Sequence, residues 1–326
     1  MNTRRSILAA AAMGILAFVL SPGVFAQSGK PIRMVVGFAA GGATDVIARM
    51  LAEKLRDAYP DGVIVENRVG ANGLVGLDFV KNSAPDGTTL LFAPDFTFTI
   101  FPHSYRKLSF DPVLDFIPLA QVVKTRNVFG VGPAVPATVR TLQDFVQWCK
   151  SNPKDAAFAS SGLGGGFHFM GIRLNRALGI NMKHVPYKGG APAMQDLAGG
   201  QIASSPAALG AVLPLMKAGK FRPLVTFSET RSELIPDVPT MVELGYKDFV
   251  VEQWVGVFAP AKTPASTVSK LNAAITDVLR SKDFIERTKN FGEVNPYTPA
   301  AFAALIKSDL DRWRDVVKAS GYVAEE

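Results

Sequence analysis

The sequence predicts an α/β protein of two domains, and three observations lead there. Short β-type runs alternate with helical patterns along the whole chain. A glycine-rich turn joins a strand to a helix once in each half. The length, 326 residues of which 48% are apolar, suits two cores better than one. Disorder would need low hydrophobicity and high net charge. Neither is present, since 35 Lys and Arg face 28 Asp and Glu, a balance of +7.

Residues 1–26 stand apart. Arg4 and Arg5 precede an apolar run from Ile7 to Leu20, then Ser21-Pro22-Gly23 and Val24-Phe25-Ala26. A positive start, a short hydrophobic stretch and small residues before a cut form a secretory signal, with cleavage expected after Ala26. The 14 apolar residues fall short of the roughly 20 that span a bilayer as helix. The arginine pair leaves Sec and twin-arginine export both open, and Gln27 rather than cysteine at the cut excludes a lipid anchor. The remaining 300 residues carry 33 basic and 28 acidic side chains, a balance of +5. A periplasmic product is expected.

Within that mature part, strands are expected at residues 32–36, 63–66, 89–93, 127–131, 156–160, 183–185 and 224–227. Helices are expected at 43–58, 142–150, 169–178, 192–197 and 268–280. On the first helix Val46, Ile47, Met50, Leu51 and Leu55 fall on one face. The last helix is expected to have Thr263 as N-cap and Pro264 at its first position. The alternation of strand and helix argues for largely parallel sheets. Cys149 continues the apolar pattern of Leu142, Phe145 and Val146, so a buried thiol is expected, and a single cysteine excludes a disulfide framework.

The motif inventory disfavours most enzyme classes. His103, His168 and His184 are the only histidines, and no H-E-x-x-H or paired metal spacing occurs, so no metal is expected. There is no G-x-S-x-G elbow and no phosphate-binding G-x-x-x-x-G-K. Phe167 stands where a dinucleotide fingerprint starting at Gly162 would need its third glycine, and no cofactor is expected. A hydrolase could use Ser160 or Ser161 with His168, but no acid partner is indicated. Basic residues do not gather into a stripe, which disfavours nucleic acid.

Two glycine turns remain: Phe38-Ala39-Ala40-Gly41-Gly42-Ala43-Thr44-Asp45 and Ser160-Ser161-Gly162-Leu163-Gly164-Gly165-Gly166-Phe167-His168. Glycine lets backbone approach a ligand, and the N–H groups opening the next helix form an anion site. One turn in each half suggests two domains closing on one small anion; the plainer reading is a pair of ordinary connectors. Asp45 either ties down its own turn or meets a ligand ammonium. His168 either caps its turn or donates to the ligand. Lys188, within Tyr187-Lys188-Gly189-Gly190, is the candidate for attracting an acidic ligand.

These turns sit in a longer series. Pro31-Ile32-Arg33 with Gly41-Gly42-x-x-Asp45-x-x-Ala48-Arg49 resembles the opening of the Bug-type substrate-binding proteins of tripartite tricarboxylate transporters. Val65-Glu66-Asn67-Arg68-x-Gly70-Ala71, Ala84-Pro85-Asp86-Gly87-x-Thr89-Leu90 and Phe110-Asp111-Pro112 follow in order. Ser160-Ser161-Gly162-x-Gly164, His184-Val185-Pro186-Tyr187-Lys188-Gly189 and Asp196-Leu197-x-Gly199-Gly200-Gln201 continue it, and Pro236-Asp237-Val238-Pro239-Thr240, Trp254 and Ala259-Pro260-x-x-Thr263-Pro264 close it. The resemblance covers essentially the whole mature chain.

It implies a two-domain α/β periplasmic-binding-protein (Venus-flytrap) fold with a small carboxylate held in the cleft between the domains. It implies domain 1 from residues 27–126 and 251–326 and domain 2 from 127–250, a monomer, no catalysis, and small and large transmembrane subunits as partners. A sensor presenting its closed form to a membrane histidine kinase is the alternative. The ligand loops map onto Phe38 to Asp45 and Ser160 to His168, with further cleft residues in Asp95-Phe96-Thr97-Phe98 and in a loop near Ala207-Ala208. Several positions depart from the family pattern. Gly37 replaces a common proline, Gly165 a usual hydroxyl residue and Ala203 a frequent acid. Phe167 and Phe169 are bulkier than usual, and Phe96 and Phe98 lie in the other stretch. The expectation is a single carboxylate on an apolar or aromatic body rather than a citrate-like polyacid.

Overall fold

The computed structural model describes residues 29–322 apart from 248, 252 and 295. The expected signal segment lies outside these residues. In chain order the elements are β1 (Ile32–Val36), α1 (Ala43–Leu55), β2 (Val63–Asn67), α2 (Leu74–Lys81), β3 (Thr89–Pro94), α3 (Phe96–Thr99) and α4 (Phe101–Ser104). Then come β4 (Phe116–Thr125), β5 (Asn127–Val131), α5 (Leu142–Ser151), β6 (Ala157–Ser160), α6 (Gly166–Leu178), β7 (Lys183–Pro186), α7 (Gly190–Ala198) and β8 (Ser204–Ala208). The chain continues through α8 (Leu209–Lys217), β9 (Arg222–Thr226), β10 (Gln253–Pro260), α9 (Ala265–Arg280), α10 (Lys282–Thr288), β11 (Gly292–Glu293) and α11 (Pro299–Ser320).

The strands form two sheets, ordered β11-β4-β10-β3-β1-β2 and β7-β6-β8-β5-β9. The chain leaves the first sheet at Thr125 and enters the second at Asn127; β10 brings it back. Both sheets are mixed, which corrects the expectation of largely parallel pairing. β1 pairs parallel with β2 and β3, but β10 runs antiparallel to β3 and β4. β6 pairs parallel with β7 and β8, but β5 runs antiparallel to β8 and β9. The antiparallel members are the strands beside each change of sheet, where no crossover helix intervenes.

Side-chain alternation divides each sheet between two cores. Met34, Val36, Leu90 and Phe92 point to the face covered by Ile47 and Leu51 of α1 and Leu271 and Ile275 of α9. Val35, Leu91 and Ala93 point the other way, toward Phe98, Phe258 and Phe302. In the second sheet Phe129 and Val131 meet Phe145 and Phe169, while Val128 faces Ala207 and Val212. The long α11 serves both sheets, with Phe302 and Ile306 in the first sheet's core and Trp313 and Val317 in the second's. Each large apolar side chain buried this way contributes about 1.5–3 kcal/mol. Cys149 is buried in the second core, and burial pushes its thiol up to about 12.

Two local expectations are corrected. Pro264, not Thr263, is the N-cap of α9, and the Thr263 hydroxyl donates to the Pro260 carbonyl instead. Ala207 and Ala208 end strand β8 and lead directly into α8, rather than forming a loop.

Candidate ligand-binding site

A cavity of about 610 Å³ lies where both sheets present glycine turns, within the range of small-molecule sites. Its wall begins with the turn after β1, where Phe38, Ala40, Gly41 and Gly42 face it. Gly41 adopts φ +83°, a conformation that favours glycine, and its N–H donates to Asp45 Oδ2 at 2.9 Å. The same oxygen takes a bond from Arg49 Nε at 3.0 Å, and Asn67 Nδ2 donates to Asp45 Oδ1 at 2.8 Å and to the Phe38 carbonyl at 2.9 Å. Burial alone would raise the Asp45 carboxyl. The bonds from Arg49, Gly41 and Asn67, with the Arg49 charge, hold it below its ordinary value. Asp45 thus ties down the turn from behind and does not line the cavity.

α1 opens at Gly42 with no side-chain cap, so its first N–H groups have no partner within the helix. A second helix start meets it. α7 follows Gly189, which adopts φ +117° and donates its N–H to the Ser161 carbonyl at 3.1 Å. A Cβ placed on Gly42 would lie 3.9 Å from the backbone nitrogens of both Gly190 and Ala191. Two helix N-termini, one from each sheet, therefore converge on the cavity, and both carry the positive end of the helix dipole. Lys188 and Tyr187 do not line it. The Tyr187 hydroxyl donates to Asp196 Oδ2 at 2.9 Å; burial, then that carboxylate, pushes the phenol up to about 12.

The second glycine turn contributes Ser161 and Phe167 to the wall, and its other residues brace it. Ser160 Oγ donates to the Gly162 carbonyl at 2.8 Å and lies 2.7 Å from His184 Nε2. With the hydroxyl proton committed, His184 is the donor in that contact. His168 Nδ1 accepts the Gly164 N–H at 3.1 Å, which places its own proton on Nε2. The two imidazoles stack at 3.8 Å between centroids. Burial depresses His168 to about 4; burial, with His168 beside it, depresses His184 to about 3. Both rings are neutral near pH 7. Ser160 and His168 are therefore bonded to other partners and not to each other.

Gly162 and Gly164 are spacers in this turn. A Cβ on Gly162 would meet Asn72 Oδ1 at 2.4 Å, and one on Gly164 would meet Ser104 Oγ at 3.3 Å. Gly165 is the N-cap of α6, against the Phe96 ring. Ala39 sits where a Cβ on Gly189 would touch it, at the contact between the two turns.

The floor comes from the strands that change sheet. Asp95, Asn127 and Gln253 all line the cavity and all are buried. Asn127 Nδ2 donates to Gln253 Oε1 at 3.1 Å, and Gln253 Nε2 donates to Asp95 Oδ1 at 3.4 Å. Asp95 Oδ2 and Asn127 Oδ1 have no partner. Burial holds the Asp95 carboxyl well above the usual range, and the Asp309 charge adds to that; the Phe96 N–H and Arg312 counter only part of it. α6 approaches this floor closely, since a Cβ on Gly166 would lie 1.9 Å from Gln253 Nε2.

Aromatic rings and small apolar residues make up the remainder. Phe96 meets Phe38 edge-on at 5.8 Å, and both line the cavity, as do Phe167 and Ala207. Phe98 and Phe169 do not: Phe98 stacks on Phe258 at 4.0 Å in one core, and Phe169 packs against Trp313 in another. Among the described lining residues there is no Lys, Arg or His. The donors available to an anion are backbone N–H groups and neutral side chains such as Ser161. Sequence reasoning missed Asn127, Gln253, Gly190 and Ala191. The first two had a signal, a lone amide at the start of an otherwise apolar strand.

The sequence agrees with this architecture. A family model described as "Tripartite tricarboxylate transporter family receptor" matches residues 47–322. Protein BugT of Bordetella pertussis is 34% identical over 298 residues, which is 90% of each chain. The solved structure of R. palustris Rpa4515 with adipate superposes with a TM-score of 0.87 at 27% identity, over 91% of this chain and 99% of that one. MatC from Rhodopseudomonas palustris with bound malate gives 0.82 at 31% identity, over 88% and 99%. With the family model matched over most of its length and two sheets of the periplasmic-binding-protein fold around one cavity, the chain belongs to the tripartite tricarboxylate transporter receptor family.

Proposed function

We propose that this protein is a periplasmic solute receptor that captures a small carboxylate between two domains and delivers it to a tripartite tricarboxylate-type permease. The domains are residues 27–126 with 251–326, and 127–250, and the protein works as a monomer. The convergence of the α1 and α7 N-termini on an apolar-walled cavity, with no cationic side chain among its described lining residues, carries this reading. Backbone N–H groups bind a carboxylate through charge-assisted bonds worth about 1.5–3 kcal/mol each. Two or three of these, with burial of an apolar body against Phe38, Phe96 and Phe167, reach the roughly −8 kcal/mol of a micromolar complex. The relatives solved with adipate and malate support the carboxylate class. Among the described residues no helix is long and apolar enough to cross a membrane.

The deciding experiment is calorimetric titration with mono-, di- and tricarboxylates. Aliphatic or aromatic monoacids are expected to bind at micromolar concentration and citrate is not. Tight citrate binding with no monoacid binding would overturn the apolar-body reading. Transport is tested separately, by loss of uptake of the bound acid on deleting this receptor or the permease subunits. Intact uptake would remove the delivery role.

A further inference from the structure

The cavity is larger than a small acid fills, and its surplus lies along two helices. At about 610 Å³ it falls in the middle of the range that encloses drug-sized ligands. From the α1 and α7 starts its wall continues along one face of α7 through Ala191, Met194 and Ala198, spaced i, i+3 and i+7. Ala211 and Leu215 of α8, spaced i and i+4, line the same space. All five are half-buried. Met194 and Leu215 rest on the core formed around Val128 and Val212, and alanine at the other three positions leaves the groove unfilled. Gln195 and Pro214 line it too and are exposed, so the groove opens to solvent there. No ionisable side chain of α7 or α8 lines the cavity among the described residues. At 1.5 Å of rise per residue, the path along α7 from Gly190 to Ala198 is about 12 Å long.

We propose that the groove between α7 and α8 is a chain subsite, and that the ligand is a carboxylate carrying an unbranched aliphatic chain. With C–C bonds of about 1.5 Å, an extended chain of roughly eight to ten carbons covers the length of the groove. This rests on the carboxylate reading above and adds the length of the ligand to it. The helix starts take the carboxylate. Phe38, whose Cβ would lie 3.8 Å from a Cβ on Gly189, covers the carbons beside it. The rest of the chain lies on Met194 and Leu215 and displaces water from both, and its end meets solvent near Gln195. A four- or six-carbon acid leaves that apolar surface wet and forgoes its burial.

Calorimetry with butanoate, hexanoate, octanoate and decanoate, and with 1-octanol, tests this. Each added methylene should tighten binding about fourfold as far as octanoate, so octanoate should bind roughly 15-fold tighter than hexanoate. Ala211→Phe fills the groove from α8 and should bring that ratio to near one. Ala198→Leu makes the same test from α7 where the first variant does not fold. Affinity that stops rising at hexanoate, or a ratio that survives in the folded variant, overturns the chain subsite and leaves the carboxylate reading in place. Octanol binding as tightly as octanoate would instead remove the carboxylate reading, and the proposed ligand with it. Failure of every acid to bind would remove both.

Discussion

At the scale of single residues, the glycines of α6 separate site from core. A methyl on Gly166 meets the far end of Gln253, a side chain that can swing aside, whereas one on Gly171 meets the Phe158 ring at 2.1 Å. Gly166→Ala should cost about 1 kcal/mol, the worth of a displaced hydrogen bond, and change ligand affinity by moving Gln253, which lines the cavity. Gly171→Ala should cost about 1–3 kcal/mol or more by overpacking and reach affinity only through stability. Urea melts and calorimetry on both variants check the contrast. The stacked histidines carry a pH prediction. Their folded values, about 4 for His168 and about 3 for His184, lie below the ordinary 6.5, so below pH 6.5 the unfolded chain binds protons that the folded chain refuses. Stability therefore falls as pH drops through this window, by roughly 2 kcal/mol per ring at pH 5. Asp95 acts in the opposite sense, since its raised carboxyl keeps a proton that the unfolded chain releases as pH rises. The histidine share is isolated by comparing wild type with His184→Asn in urea melts at pH 7.5 and 5. The loss between those pH values should shrink in the variant, and an equal loss would exclude the rings as its cause.

At the scale of elements, the β1 and β5 spans match the sequence expectation residue for residue because their apolar runs end sharply at turns. α1 stops at Leu55, three residues short of its expected end. α6 begins at Gly166, three residues before expected, because the last glycine of the turn is already helical where it packs against Gln253. The mixed pairing of β4, β5 and β10 was hidden, since strand direction depends on where the chain changes sheet and not on local pattern. The site divided along the same line. Glycine turns declare themselves by composition, so Gly41, Gly42 and Ser161 could be named in advance. The α7 start could not, because only tertiary packing brings Gly190 and Ala191 to Gly42. The helix starts supply the next prediction. Ala43 is the first residue of α1, where proline is well tolerated, and Gly42 before it is extended at φ −73°, ψ 162°, as a residue preceding proline should be. Ala43→Pro removes one N–H while leaving the helix intact. Carboxylate affinity should fall about 10- to 100-fold with a Tm within a few degrees of wild type. Unchanged affinity in a calorimetric titration would take the α1 start out of the anion site.

At the scale of the whole molecule, α11 is shared by the cores of both sheets, and Arg176 of α6 donates to the carbonyls of Ala319 and Ser320 at its end. A hydrogen-bonded contact also joins the turn after β2 to the second glycine turn. Asn72, in the first lobe, donates from Nδ2 to the Leu163 carbonyl of the second glycine turn at 2.8 Å and to the Tyr105 hydroxyl at 2.7 Å. Asn72 does so at φ +54° and Ala71 at φ +44°, backbone conformations that cost free energy and are retained where surrounding contacts impose them. If the two sheets part to admit a ligand, the bonds of Asn72 must break and form again. Asn72→Asp tests this with little change in size or in tolerance of positive φ. It removes both donated bonds and sets a carboxylate against the Leu163 carbonyl. Closure should become less favourable, and apparent affinity falls by the fraction of molecules still able to close. The expected result is about 10-fold weaker binding, seen mainly as faster release in stopped-flow experiments. X-ray scattering should give the wild-type radius of gyration in the unliganded variant and a larger one at subsaturating ligand. An unchanged release rate with an unchanged scattering profile would place the closing force elsewhere, at the Gly42–Ala191 contact.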